Sequence, residues 1–249
     1  MILHHSTWPQ VEKYLSDKRG IIIPIGSTEQ HGPTGLIGTD AIIAEKLSHA
    51  VGERLGVYVA PTLSIGMAHH HLGFPGSMTL RPQTMINVLV DWFSSLQKHG
   101  FRDIFIINGH GGNIPATETA ICEFHAMSSL ERSPRNDDMK VLLKNWWAGQ
   151  KLSPFSEELY GDRRGVHATA DELAVIRYLI PEAADIPAPE GWTWPGPDFA
   201  RFSDCNNYRD LYPDGAIASD ITLANAEDGK KLFNIAVDDL SKDCEEFMA

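Results

Sequence analysis

Two aliphatic runs, each breaking off into a glycine-rich polar segment, constrain this chain more than any other feature. The first is Ile21-Ile22-Ile23-Pro24-Ile25. It leads into Gly26-Ser27-Thr28-Glu29-Gln30-His31-Gly32-Pro33 and, nine residues beyond His31, to Asp40 in Gly38-Thr39-Asp40. The second, Ile104-Phe105-Ile106-Ile107, leads into Asn108-Gly109-His110-Gly111-Gly112-Asn113. Short β-branched runs of this kind read as strands buried on both faces, the pattern of a parallel sheet covered by helices.

The segments between them supply those helices. Thr39 or Asp40 caps a helix running to about Leu55, with Ile42, Ile43, Leu47 and Val51 on its apolar side. Pro82 opens another, with Met85, Val88, Leu89, Trp92, Phe93 and Leu96 at helical spacing and Gly100 as its stop. Ile114 to about Leu130, Thr169 to Leu179 and Glu227 to Phe247 read as further helices. Cys122, amid apolar neighbours, reads as core. Val57 to Leu63, Ser77 to Leu80 and Val141 to Leu143 read as additional strands, and Glu131 to Asp138 as a polar surface loop. Ile186 to Asp214, rich in proline and carrying Trp192-Thr193-Trp194, reads as a long structured loop, a type that is often functional. Repeated alternation of strand and helix predicts an α/β fold, a mostly parallel sheet covered by helices on both faces. With no internal repeat or low-complexity tract, residues 1–249 read as a single domain.

Charge and composition exclude several classes of function. The formal net charge is −12 with no basic tract, which argues against nucleic acid or an anionic membrane as partner. No uncharged apolar run approaches the ~20 residues that span a bilayer. The start, Met1-Ile2-Leu3-His4-His5, lacks a signal-peptide pattern. Three scattered cysteines make neither a disulfide framework nor a cysteine zinc site. A cytoplasmic protein acting on a small molecule is the expectation.

In open α/β sheets ligands bind outside the carboxyl ends of the strands, where both glycine-rich segments fall. Residues i and i+2 of extended chain point the same way, so Glu29 and His31 converge on one point. Asp40 at a helix start and His110 at a strand end complete two carboxylates and two imidazoles, a donor set suited to Zn²⁺, Mn²⁺ or Fe²⁺. A strand-end histidine on its own is more often a hydrogen-bonded structural residue; two such segments at neighbouring strand ends make ligation an even proposition. Of the His69-His70-His71 triplet, His71 is the candidate for lining a pocket, since adjacent residues face opposite ways. Trp146 and Trp147 follow a strand and either wall the pocket or pack in the core. No Gly-x-Ser-x-Gly elbow surrounds Ser27.

These segments resemble the creatininase (creatinine amidohydrolase) family. Phe74-Pro75-Gly76-Ser77, preceded by His71, resembles a third family segment, and His167-Ala168-Thr169-Ala170-Asp171-Glu172 a fourth. The resemblance implies a three-layer creatininase-like fold and a homo-oligomer, often a hexamer. It also implies a hydrolase of carbon–nitrogen bonds other than peptide bonds, such as a lactam, formamide or small amide. By that resemblance Glu29, His31, Asp40, His110 and Glu172 hold two divalent ions, with Asp40 as the bridge. His167 is the proton shuttle for attack by a metal-activated water, and backbone N–H groups around Gly111 and Gly112 meet the substrate oxygen. A lactone hydrolase on the same site, or a non-catalytic binding protein with this fold, remains as an alternative. The chain also departs from creatininase proper. Gly112 stands where that enzyme has a glutamate, and Arg163 where it has a tryptophan over creatinine. A substrate other than creatinine, carrying a carboxylate or phosphate for Arg163, is the resulting expectation.

Overall fold

The computed structural model describes residues 1–130 and 138–249. Its strands are β1 (Gly20–Ile25), β2 (Tyr58–Val59), β3 (Asp103–Asn108) and β4 (Lys140–Asn145), all parallel, in the sheet order β2-β1-β3-β4. The α-helices among the described residues are α1 (Trp8–Leu15), α2 (Thr39–Leu55), α3 (Pro82–His99), α4 (Ile114–Leu130), α5 (Leu152–Tyr160), α6 (Ala170–Leu179), α7 (Cys205–Leu211) and α8 (Ala226–Met248).

The period of two along each strand sorts the side chains into two cores. Ile21, Ile23, Ile25, Ile104 and Ile106 pack against Met85, Leu89 and Phe93 of α3 and Ala120 and Phe124 of α4. Ile22, Phe105 and Ile107 pack on the other face against Ile43, Leu47 and Val51 of α2, Leu173 of α6, and Leu232 and Leu240 of α8. The result is three layers, helices, sheet and helices. Full burial of one such side chain is worth about 1.5–3 kcal/mol, more than the ~1 kcal/mol range of strand propensity. The sheet is therefore held by its two cores, and cover on both faces is why residues 21–25 of β1 and 104–107 of β3 are all apolar.

Gly38, and not Thr39 or Asp40, is the N-cap of α2, since both lie inside the helix, whereas the C-terminal stops follow the expected signals. Gly56 and Gly100 close α2 and α3 with φ of 60° and 108°, conformations glycine adopts without cost.

Several expected elements differ. The strand expected over Val57 to Leu63 is only Tyr58–Val59, with an isolated bridge between Ile25 and Leu63; Pro24 of β1, which faces this strand, has no N–H to continue the ladder. Ser77 to Leu80 is not a strand. Met78 N–H donates to Thr28 O at 2.8 Å, so this segment is tied to the loop after β1 rather than to the sheet. The long loop contains α7, capped by Asp204, whose carboxylate accepts from Asn206 and Asn207 N–H. Cys122 is exposed, because it lies two residues, about 200°, from the buried Ala120. The loop expected at Glu131 to Asp138 lies outside the described residues, apart from Asp138 itself.

Register positions the site. Ile25 pairs with Asn108 and Asn108 with Asn145, so β1, β3 and β4 end at one level. The segments beginning Gly26, Gly109 and Trp146 emerge side by side at the carboxyl edge.

Candidate metal centre and active site

Four connections bring ligand-type side chains to this edge. Glu29 and His31 come from the loop after β1. Asp40 lies in the first turn of α2, where the helix dipole favours a carboxylate. His110 follows β3. Glu172 is the third residue of α6 and closes a capping box with Thr169, accepting the Thr169 N–H on Oε2 at 2.8 Å.

The loops are held by close backbone approach and by two asparagines. A Cβ on Gly109 would lie 2.2 Å from Asp40 O, so only glycine lets the second segment press against the start of α2. Asn108 Oδ1 accepts from His110 N–H at 3.1 Å, and its Nδ2 donates to His110 O at 2.7 Å. Asn113 joins three segments, donating to Gly26 O at 3.0 Å and accepting from Met67 N–H at 3.0 Å.

Glu29, His31 and Asp40 are almost wholly buried, and His110 is buried with them. Asp40 Oδ1 lies 2.9 Å from His31 Nε2 and Oδ2 lies 3.1 Å from His110 Nδ1. Glu29 Oε1 lies 3.2 Å from His110 Nδ1 and 3.1 Å from His71 Nε2. The outer nitrogens are committed to carbonyl oxygens, His31 Nδ1 to Glu29 O at 3.1 Å and His110 Nε2 to Met67 O at 3.1 Å. Carbonyls only accept, so those nitrogens carry protons and the inward-facing ones are the atoms that could ligate a cation. Ser27 Oγ donates to Glu29 Oε2 at 2.7 Å; it orients the carboxylate and is no nucleophile.

The donor atoms form two triads, Glu29–Asp40–His110 and His31–Asp40–Glu172, each with its atoms within 4.8 Å of one another. A third grouping joins Glu29, His31 and His167. Asp40 is common to the first two, as a bridging carboxylate must be. Glu29 Oε1 and Asp40 Oδ2 are buried without a hydrogen-bond partner, and a cation would satisfy both. Without an ion, protons take its place. Burial opposes charge on His31, yet Asp40, with Glu172 and Glu29 behind it, lifts its imidazole to about 10. Burial likewise opposes charge on His110, and Glu29 and Asp40 raise it well above the ordinary value. Glu29, despite its burial, is held well below the usual carboxylate range by His110 and His71. Burial pushes the Glu172 carboxyl up to about 7. The residues present fit a pair of divalent ions.

Other expected site residues fall differently. His71 is buried against Glu29, whereas His70 stacks 4.1 Å from it and is pushed down to about 3 by burial. A cavity of about 540 Å³ opens over the centre, lined by His71, Gly111, Gly112, His167, Trp147 and Arg164, with Phe199 and Phe202 from the long loop. Trp146 is a buried core residue and not part of this lining; its neighbour Trp147 takes the place. Arg163 also stays out of the cavity. Its guanidinium pairs with Asp220 and lies 5.4 Å over the Trp194 ring. Arg164 lines the cavity with its Nε on Asp171 at 2.7 Å. Gly112 has a physical reason to be glycine: a Cβ there would lie 2.4 Å from His110 Nε2 and 2.6 Å from Met67 O. A side-chain carboxylate cannot enter from that position, and Glu172 supplies one from α6. Sequence reasoning did not single out Gln30, Tyr208, Phe199 or Phe202; the proline-rich stretch containing Phe199 and Phe202 was the available signal.

A parallel, helix-covered sheet with candidate metal-binding triads at its carboxyl edge defines a class, the α/β proteins with a polar site at the strand ends. The creatinine amidohydrolase family profile matches residues 4–244, and the chain belongs to the creatininase family. Over 106 residues, 42% of this chain, it is 34% identical to 3-dehydro-scyllo-inosose hydrolase of Thermotoga maritima, covering 34% of that protein. Over 107 residues, 41% of this chain, it is 36% identical to the mycofactocin precursor peptide peptidase of Mycolicibacterium smegmatis, covering 43% of it. The matched stretches thus span less than half the length of these curated relatives. A solved manganese creatininase superposes with a TM-score of 0.81 at 22% identity, covering 100% of this chain and 99% of that one; a zinc–zinc form of a creatininase mutant is also similar.

Proposed function

We propose that the protein is a metal-dependent amidohydrolase that cleaves a non-peptide carbon–nitrogen bond in a small molecule. The observation that carries this reading is the pair of triads sharing Asp40 beneath an open cavity of about 540 Å³. Glu29, Asp40 and His110 would hold one ion, and His31, Asp40 and Glu172 the other. Zinc, manganese and ferrous iron suit this mixture of carboxylate and imidazole. When bound, such ions act as Lewis acids and lower the pKa of water to near neutrality.

The protein groups do the rest. Gly111 and Gly112 stand at the start of the turn that runs into α4, where N–H groups lack helical partners and can receive charge developing on a carbonyl oxygen. His167 lies beside Glu29 and is held well below its ordinary pKa by burial, with the charges of His71 and His31 adding to it. It is therefore neutral and able to take a proton, then deliver it to the leaving nitrogen. Trp147, Phe199 and Phe202 give the substrate an apolar flank. The anionic substrate expected from Arg163 loses its carrier, since that guanidinium is spent on Asp220.

Assembly as a homo-oligomer is part of the proposal. Ile37, Leu72 and Met78 are large and exposed, on segments joined by the Thr28–Met78 bridge and by Ile37 lying against Gly76. Such a patch is the kind that subunit contact covers.

The test is metal analysis of the purified protein, followed by a screen of the reconstituted enzyme against lactams, formamides, small amides and lactones. Stoichiometric metal and turnover of an amide-type substrate support the reading. Protein that takes up no divalent ion refutes it.

A further inference from the structure

Gln30 lies between the ligands Glu29 and His31, is buried, and has no part in the metal cradle. Its amide orientation is fixed from one side, because Gly32 N–H donates to Oε1 at 2.8 Å. The opposite corner is therefore the NH₂ group. That nitrogen lies 2.9 Å from His71 Nδ1, 2.9 Å from Gly215 O, 3.0 Å from His167 Nε2 and 3.2 Å from the Tyr208 hydroxyl. An amide nitrogen donates two hydrogens and accepts none.

The possibilities can be counted down. His167 Nε2 also lies 2.8 Å from the backbone carbonyl of Gln30 itself. A carbonyl only accepts, so His167 Nε2 carries its proton and offers no lone pair to the amide. Tyr208 gives its own proton to Gly215 O at 2.7 Å. One amide hydrogen is left for His71 Nδ1, and the other is shared between Gly215 O and the Tyr208 oxygen. His71 Nδ1 is thus an acceptor, and its proton sits on Nε2, 3.1 Å from Glu29 Oε1. His167 turns an unprotonated Nδ1 toward the same oxygen, at 3.7 Å. The amide packs so closely on Gly215 that a Cβ there would overlap it.

We propose that Gln30 is a positioning residue that sets the tautomers of both imidazoles, through its side chain for His71 and its backbone carbonyl for His167. His71 then turns its Nε2–H toward Glu29 Oε1, and His167 takes and passes on a proton through Nδ1. The role of Nδ1 rests on the hydrolase reading above; the tautomer assignment does not.

The test uses ¹⁵N-labelled full-length protein at mildly alkaline pH, metal-free and zinc-loaded. Long-range ¹H–¹⁵N spectra report which ring nitrogen is protonated, with His71→Asn and His167→Asn supplying the assignments. Both imidazoles are expected as Nε2–H tautomers. In Gln30→Met, which keeps length and removes the donor, His71 loses its preference while His167 keeps it. Outer-shell partners of metal sites typically matter by about 10–100-fold. The kcat of Gln30→Met should fall within that range, with KM and metal content unchanged. A wild-type His71 protonated on Nδ1 overturns the proposal, as does a Gln30→Met enzyme with full kcat. The wild-type spectra decide the assignment even if Gln30→Met does not fold. Absence of turnover in every form counts against the hydrolase reading alone.

Discussion

Asp40 Oδ1 lies 2.9 Å from His31 Nε2, both groups almost wholly buried, although a turn and the start of α2 separate them along the chain. The other oxygen of Asp40 faces His110 at 3.1 Å. One carboxylate thus touches imidazoles from two different motifs, and through it the two triads become one centre.

Asp40→Asn keeps the shape and removes the charge. Both triads lose their shared ligand, so the variant should lose both ions while retaining its fold. Elemental analysis of the purified variant, with circular dichroism as control, checks this. Retention of two ions per chain would exclude Asp40 as the bridge.

The metal-free protein should lose stability as pH rises from about 7 to 10. His31 is raised to about 10, above the ~6.5 of an unfolded imidazole, and His110 is raised as well. A group raised on folding stabilises below its unfolded pKa, and that contribution is lost as pH climbs through the folded value. Glu29 and His167 are lowered, so they no longer titrate in either state above pH 7. A melting-temperature series on chelator-treated protein reads the slope. Metal must displace these protons, so ion binding near pH 7 should release protons, visible as a buffer-dependent heat in calorimetry. A melting temperature that climbs from pH 7 to 10 contradicts the assignment.

Gly112→Glu should not create a creatinine hydrolase. The first atom of any side chain at 112 meets His110 Nε2 and Met67 O, and crowding of this kind costs about 1–3 kcal/mol. The variant should melt lower and bind metal more weakly. Gain of creatinine hydrolysis with unimpaired metal binding would show that the loop yields.

Phe199 and Arg163 should separate cleanly. Phe199→Ala opens the cavity wall and is expected to raise KM with little change in kcat. Arg163→Ala removes the partner of the buried Asp220 carboxylate, so it should lower the melting temperature and leave KM unchanged. A KM that responds to Arg163 alone would return that side chain to the substrate.

Much of the fold was legible because burial writes itself into composition. β1 and β3 are covered on both faces, so their central runs are apolar, and Gly56, Gly100 and Pro82 punctuate helices for local steric reasons. Ser77 to Leu80 misled because β-like residues here serve a loop-to-loop contact. Trp146 and Trp147 could not be told apart, since which of two neighbours faces a cavity depends on the turn after β4. The same holds for Arg163 and Arg164, adjacent residues assigned different acids by the packing of 220 and 171.

The amino-acid sequence by itself determined the layered α/β class, the two ligand-bearing segments and the family, because apolar period, glycine punctuation and motif spacing are local properties. It took the tertiary structure to bring Glu172 of α6 within reach of His31 and Asp40, to put Trp147 rather than Trp146 on the cavity, and to set Gln30 between two imidazoles. Those facts depend on sheet register and on helix ends far apart in the chain meeting within a few ångströms, and no local pattern encodes such distances.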